Sequence, residues 1–316
     1  MRQLLQEVIQ GKRSVAIGGH VRPDGDCVGS CMGLFQYLKD NCPEINVDVY
    51  LEDIPDPLRF IEATKEIRHE IDPEQVYDLF ICLDCGDIGR LGFSGPLFSS
   101  AGDTLCVDHH ISNQAFAAHN YIVPDASSTS ELIYNLIDPE KITKEIAEAL
   151  YVGIAHDTGV FLYSCTKPST MEAAAQLLRT GIDANDIIDK TYYEKTYVQN
   201  QILGRALLES MLLLDKRCIV SVVTKKELEF YNATAKDLDG IVSQLRSTKG
   251  VDVAMFLYET DTQEFKVSLR SNGAVDVSVI AQYFGGGGHK RAAGFTLSGR
   301  YHDIINNVTR QIELQL

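Results

Sequence analysis

No run of apolar residues in these 316 positions is long enough to cross a membrane, and no signal peptide opens the chain. Met1-Arg2-Gln3-Leu4-Leu5-Gln6-Glu7 starts an amphipathic helix instead, so the expectation is a cytoplasmic protein without a membrane partner. Paired cysteines are missing too. The eight cysteines are scattered through apparent strands and helices, and Cys82 and Cys85 form a C-x-x-C with no second pair. They read as small buried hydrophobes rather than a zinc or redox motif. Basic charge is scarce: 29 lysines and arginines face 44 acidic residues, for a net charge of −15. Such a surface repels long duplex nucleic acid, whose binding rests on a basic stripe. A small anion still binds where metals and a few arginines reverse the local field. Neither an internal repeat nor a Pro/Gly/Ser-rich linker is visible. What remains, with 45% hydrophobic and 23% charged residues, fits a soluble globular protein long enough for two domains.

The first half alternates short apolar runs with helical stretches. Strands are expected at Ser14 to Gly18, Asn46 to Tyr50, Asp78 to Leu83, Thr104 to Val107 and Asn120 to Val123, with a helix over Val28 to Leu38. That alternation predicts an α/β fold with a mostly parallel sheet flanked by helices. From Ser127 the pattern turns helical, and Ser128-Thr129-Ser130-Glu131 has the form of a capping box. A long amphipathic helix is expected over Tyr197 to Leu213. The domains are accordingly placed at 1–192 and 216–316, with a connecting helix at 193–215; the second is a smaller α/β domain.

Chemistry concentrates where the expected strands end. His20-Val21-Arg22-Pro23-Asp24-Gly25-Asp26 follows the first, Asp84 follows Leu79-Phe80-Ile81-Cys82-Leu83, and Asp108-His109-His110 follows Thr104-Leu105-Cys106-Val107. His156-Asp157 adds a fourth cluster, although His156 itself reads as a surface histidine. Side chains that end buried parallel strands emerge at one edge of the sheet, where such folds place their ligands. So much negative charge in one place calls for divalent cations. Carboxylates mixed with imidazoles favour Mn²⁺, with Mg²⁺, Co²⁺ or Fe²⁺ as substitutes. His20, Asp24, Asp26, Asp84, His109 and Asp157 are too many ligands for one ion, whereas two ions about 3.5–4 Å apart use them all, with Asp84 the best bridge. Such a pair activates water for attack at phosphorus. His110 would face the scissile phosphate or leaving group, and Asp108 would orient a histidine.

Near the end, Gly285-Gly286-Gly287-Gly288 precedes His289, Lys290 and Arg291. Lys290 is not followed by Ser or Thr, so a P-loop does not fit. Four glycines alone make a flexible turn; the adjoining His289 and Arg291 tilt the reading toward a phosphate or base contact.

Together these motifs closely resemble the DHH phosphoesterase superfamily. The resemblance rests on Gly19 to Ser30, Asp84, Asp108-His109-His110 and Ile154 to Gly159. Gly286 to Gly294 and Val267-Ser268-Leu269-Arg270-Ser271 are similar to the DHH-associated C-terminal domain. The resemblance implies one Mn²⁺ on His20, Asp24 and Asp84, and a second on Asp26, Asp84, His109 and Asp157. His110 is then the substrate-side histidine, with Asp108, His109 and His110 forming the catalytic set. Arg270, Ser271, Gly287, Gly288, His289 and Arg291 bind the terminal 5′-phosphate or nucleobase, in a cleft between the domains. The branch implied degrades short single-stranded oligoribonucleotides and dephosphorylates 3′-phosphoadenosine 5′-phosphate (pAp), with room for a homodimer. A cyclic-di-AMP or pApA phosphodiesterase uses the same chemistry. A family II inorganic pyrophosphatase lacks the Gly-rich histidine motif, and a RecJ-type exonuclease is larger. A non-catalytic nucleotide-binding module would have lost a ligand, and none is lost.

Overall fold

The computed structural model describes residues 2–316; Met1, at the head of the expected first helix, lies outside them. The chain divides into two compact units, Met1–Glu194 and Lys195–Leu316.

In the first unit, six strands form one sheet: β1 (Ser14–Gly18), β2 (Asn46–Tyr50), β3 (Ile67–Arg68), β4 (Leu79–Leu83), β5 (Thr104–Asp108) and β6 (His119–Ile122). Their order is β3-β2-β1-β4-β5-β6, and every pairing is parallel. The helices are α1 (Arg2–Ile9), α2 (Gly25–Asn41), α3 (Gly95–Ser100), α4 (Thr129–Leu136), α5 (Lys144–Asp157), α6 (Pro168–Leu178) and α7 (Ala184–Ile188). β4 is buried at all five positions, which explains its unbroken apolar run: a parallel strand is covered on both faces. Val15, Ile17, Ile81 and Val107 pack toward α2, α4 and α5, while Ala16, Phe80, Cys82 and Cys106 pack on the opposite face with Tyr77, Leu97 and Phe98. The eight cysteines are unpaired thiols, six of them buried, in keeping with packing roles.

The strand order reverses between β1 and β4, and open α/β sheets bind ligands beyond the carboxyl ends of the strands at such a reversal. β1 runs into the His20–Asp26 loop and β4 into Asp84, so the acidic clusters lie at that point. α2 and α5 cross in backbone contact there. A Cβ added at Gly29 would lie 2.5 Å from the Ala149 carbonyl oxygen.

The second unit begins with α8 (Tyr197–Leu208) and continues through β7 (Met211–Leu213), β8 (Cys218–Val223), α9 (Lys225–Tyr231), α10 (Ile241–Arg246), β9 (Val253–Asp261) and β10 (Glu264–Ser271). It closes with α11 (Val277–Tyr283), β11 (Gly287–His289), β12 (Ala292–Ser298) and α12 (Tyr301–Glu313). The sheet order is β11-β12-β10-β9-β8-β7, antiparallel except for the β8–β9 pair. Val277, Ile280, Ile304 and Val308 cover one face and Ile202, Ala206, Ile241 and Leu245 the other. The helix expected to run to Leu213 stops at Leu208. Leu214, Asp215 and Lys216 adopt left-handed backbone, with φ of 51°, 52° and 70°, and turn the chain back so that β7 pairs with β8. Strand pairing, and the packing of Leu213 and Leu214 on the core, outweigh the helical periodicity. Among the described residues, no helix is long and apolar enough to cross a membrane.

Two helical glycines separate packing from propensity. Gly29→Ala is expected to destabilise by about 1–3 kcal/mol, because the methyl group meets backbone. Gly204→Ala in α8, with nothing within 4 Å of the new carbon, is expected to stabilise by about 0.5–1 kcal/mol. Urea unfolding midpoints of the two variants should move in opposite directions.

Candidate metal centre

His20 is buried at 4% exposure, beyond the end of β1. Its Nδ1 lies 2.9 Å from the Val21 carbonyl oxygen, which only accepts, so Nδ1 carries the hydrogen. Nε2 is thereby turned to Asp84 Oδ2 at 3.5 Å and Asp24 Oδ1 at 3.7 Å. Asp24 caps α2, accepting the Asp26 and Cys27 N–H groups at 3.1 Å each. Asp26, inside the first turn, is fully buried. It accepts the N–H groups of Thr129 at 2.6 Å and Ser130 at 2.9 Å, the first residues of α4. A helix N-terminus thus holds this carboxylate.

Asp84 sits in left-handed backbone, with φ of 55°, a strained state for a non-glycine residue. Its own N–H is tied to the Val107 carbonyl at 3.1 Å. The two carboxylate oxygens part company: Oδ2 faces His20, while Oδ1 lies 3.5 Å from His109 Nε2. His109 Nε2 also lies 3.1 Å from Asp157 Oδ2 and 3.9 Å from Asp26 Oδ2. Asp157 is the last residue of α5. His20, Asp24, Asp26, Asp84, His109 and Asp157 are therefore brought together. Asp108 stands behind them, fully buried at the end of β5. Its Oδ1 accepts from His110 Nδ1 and its Oδ2 from Asn113 Nδ2, both at 2.7 Å. His110 therefore keeps its Nε2 clear of Asp108.

The electrostatics are those of a crowded anion. Burial pushes the Asp26 carboxyl well above the usual carboxylate range, and Asp84 and Asp157 push it further. Burial also raises Asp157. For His20, burial favours the neutral ring, but Asp24 and Asp84 outweigh it and lift the pKa to about 11. For His109, Asp157 and Asp84 outweigh burial and lift it to about 12. Burial works against the Asp84 charge, yet His109 and His20 hold its carboxyl below the usual range. Protons on the imidazoles thus balance the carboxylates, and a divalent cation can replace them. Three sets of ligand atoms lie within 4.8 Å of one another: His20, Cys27 and Asp84; Asp84, His109 and His110; Asp26, His109 and Asp157. Oxygen and imidazole donors in this number fit divalent cations.

Sequence reasoning missed several parts. Cys27 joins the first set, although its position in an apolar helix signals only packing. The Ser128–Glu131 capping pattern marks the start of α4 but not the carboxylate it holds. His156 is not the surface histidine expected. Its Nε2 lies 3.0 Å from Thr191 Oγ1, and its ring lies 2.3 Å from where a Cβ on Gly25 would sit. It packs beneath the Asp24–Asp26 loop, and burial lowers its pKa.

In the second unit, pairing places Arg270 opposite Ala292 and His289 opposite the same residue on its other side. Directly paired residues share a sheet face, so Arg270 and His289 lie in one row. Ser271 is buried, and its Oγ accepts the Gly273 N–H at 3.0 Å. Gly287, Gly288, His289 and Arg291 are exposed. The glycine run is no flexible turn: Gly287–His289 forms the edge strand β11, and a Cβ on Gly288 would lie 2.5 Å from the Ala292 carbonyl oxygen.

Residues 14–154 match the DHH family, N-terminal domain, and residues 215–314 match the DHHA1 domain. The bifunctional oligoribonuclease and PAP phosphatase NrnA of Thermus thermophilus is 31% identical, across 94% of this chain and 88% of that protein. The Bacillus subtilis protein of the same name is 27% identical, across 90% and 89%. A crystal structure of an exopolyphosphatase-related protein from Bacteroides fragilis superimposes with a TM-score of 0.90 at 29% identity, covering 98% of this chain and 95% of that one. With its acidic crevice at the β1/β4 reversal and both domain matches in place, this chain belongs to the DHH family.

Proposed function

We propose that the protein is a cytoplasmic two-metal phosphoesterase that hydrolyses short oligoribonucleotides to mononucleotides and pAp to AMP. One observation carries the reading: the buried Asp84 carboxylate turns one oxygen to His20 and the other to His109. His20, Asp24 and Asp84 would hold one cation, and Asp26, Asp84, His109 and Asp157 the other. The mixed donor set favours Mn²⁺. When bound, such cations lower the pKa of water and neutralise phosphate oxygens. The names of the Thermus and Bacillus relatives support the substrate class.

The chain's own groups supply the rest. Asp108 accepts the His110 Nδ1–H and raises the pKa of that ring. His110 is therefore held as a proton donor, with Nε2 available to the departing oxygen or the phosphate. Asn113 fixes Asp108 from its other side. Arg270, Ser271, Gly287, Gly288, His289 and Arg291 would bind a terminal phosphate or base of the substrate, supplying local positive charge within a chain of net charge −15.

Turnover of pAp, pApA, dinucleotides and longer RNA with Mn²⁺ tests the proposal. Dinucleotides and pAp should be hydrolysed well ahead of long strands, duplex should be inert, and Asp84→Asn should lower turnover by at least about 100-fold. Tight nucleotide binding without turnover would contradict it. Arg291→Ala should raise KM for pAp by about tenfold or more and leave kcat within about twofold, if that guanidinium binds only the remote phosphate.

The raised histidines give a pH signature. His20 and His109, at about 11 and about 12, are protonated near neutrality without metal, whereas a metal ligand must be neutral. Cation binding should therefore release protons, and apparent Mn²⁺ affinity should rise with pH between about 6 and 8. Calorimetry in buffers of different ionisation heat measures the release. Stability of the metal-free protein runs the other way. The imidazolium contribution is complete below the ordinary value of 6.5 and is lost as pH rises through the folded values.

A further inference from the structure

Thr129 is a fully buried residue that is not a ligand in the proposed centre, yet it touches two of the ligands. Its N–H donates to Asp26 Oδ2 at 2.6 Å, and its hydroxyl donates to Asp84 Oδ1 at 3.1 Å. These two carboxylates come from α2 and from the end of β4, 58 positions apart, and both face His109 Nε2, at 3.9 and 3.5 Å. One side chain at the head of α4 therefore sets the spacing between them.

The support behind Thr129 is built rather than incidental. Ser128 caps α4, its hydroxyl accepting the Glu131 N–H at 3.0 Å. Glu131 does not reach back to the Ser128 N–H as a capping box would. Its buried Oε2 instead accepts the Ser127 N–H at 3.1 Å, the Ser127 hydroxyl at 2.5 Å and the Thr170 hydroxyl at 2.9 Å. Thr170 belongs to α6 and also accepts the Lys167 N–H at 3.1 Å. The head of α4 is thus pinned to α6, and its two leading N–H groups and one hydroxyl point at the carboxylates. A buried hydroxyl with a single proton has one donor to give, and here it goes to the Asp84 oxygen that faces His109, not to the one that faces His20.

Resting on the two-metal reading above, we propose that Thr129 is a positioning residue. Its hydroxyl aims Asp84 Oδ1 at the cation held with Asp26, His109 and Asp157, and so sets the affinity of that site apart from the His20 site. A hydrogen bond to a ligating carboxylate orients it, and loss of such partners costs metal affinity. Valine removes the hydroxyl but keeps the N–H to Asp26 and nearly the same volume. Serine keeps the hydroxyl and loses only a methyl group.

Mn²⁺ titration of wild type, Thr129→Val and Thr129→Ser, followed by electron paramagnetic resonance, reads both sites separately from turnover. In Thr129→Val one of two Mn²⁺ should bind about tenfold or more weakly, the other should be unchanged, and kcat for pAp should fall with KM held. Thr129→Ser should restore both. Equal affinities in wild type and the valine variant would overturn the proposal. So would a serine variant as weak as valine, which would make the methyl packing the cause. If the valine protein does not fold, Thr129→Ala is judged by the same criteria, and loss of folding in both overturns the positioning role in favour of a structural one. Failure of wild type to bind Mn²⁺ would instead overturn the two-metal reading beneath it.

Discussion

Asp84 is the constraint on which the rest of the site depends. It is almost fully buried, its backbone is in the left-handed region, and its two oxygens face imidazoles on opposite sides. Burial works against a lone carboxylate's charge, and it pushes the Asp26 carboxyl above the usual range. Asp84 instead keeps its charge because His20 and His109 carry theirs. The strained backbone persists because the Asp84 N–H is fixed to β5 and its side chain to Thr129. Removing either imidazole would leave the buried Asp84 charge uncompensated, which costs more than the pair ever contributed.

The architecture follows from placing that residue. A parallel sheet with order β3-β2-β1-β4-β5-β6 reverses at the β1/β4 seam. His20 and Asp84 lie just beyond these two strands, and Asp108 ends the next. α2 and α4 then bring their first turns to the same place, one contributing Asp26 and the other the N–H groups that hold it. The close approach of α2 and α5 at Gly29 keeps Asp157 near. Helix dipoles, strand ends and glycine contacts are separate devices, all serving one cluster of carboxylates.

Much of this was legible in the sequence, for a physical reason. Continuous apolar runs such as Leu79–Leu83 announce a strand buried on both faces, and a polar residue just after one must emerge at the sheet edge. His20, Asp84 and His109 could be read because they follow such strands, whereas Asp26 opens α2 and Asp157 ends α5. Contacts made by backbone could not. Nothing in Thr129 or Ser130 announces that their N–H groups meet a carboxylate more than 100 positions upstream. The nearness of Cys27 to His20 and Asp84, and the packing of His156 beneath Gly25, are tertiary facts with no sequence signal. In the second unit, the 3.6-residue periodicity through Leu213 hid a hairpin made by three left-handed residues, none of them glycine. Likewise, the glycine run carries no apolar alternation to announce the edge strand that pairing of Gly287–His289 with β12 makes.

In the proposed centre, one carboxylate serves two cations at once. Electron paramagnetic resonance of the protein loaded with two equivalents of Mn²⁺ addresses it most directly. A pair sharing Asp84 should give an exchange-coupled dimanganese spectrum, and Asp84→Asn should remove the coupling. Two isolated six-line Mn²⁺ signals, or saturation at one ion per chain, would contradict it.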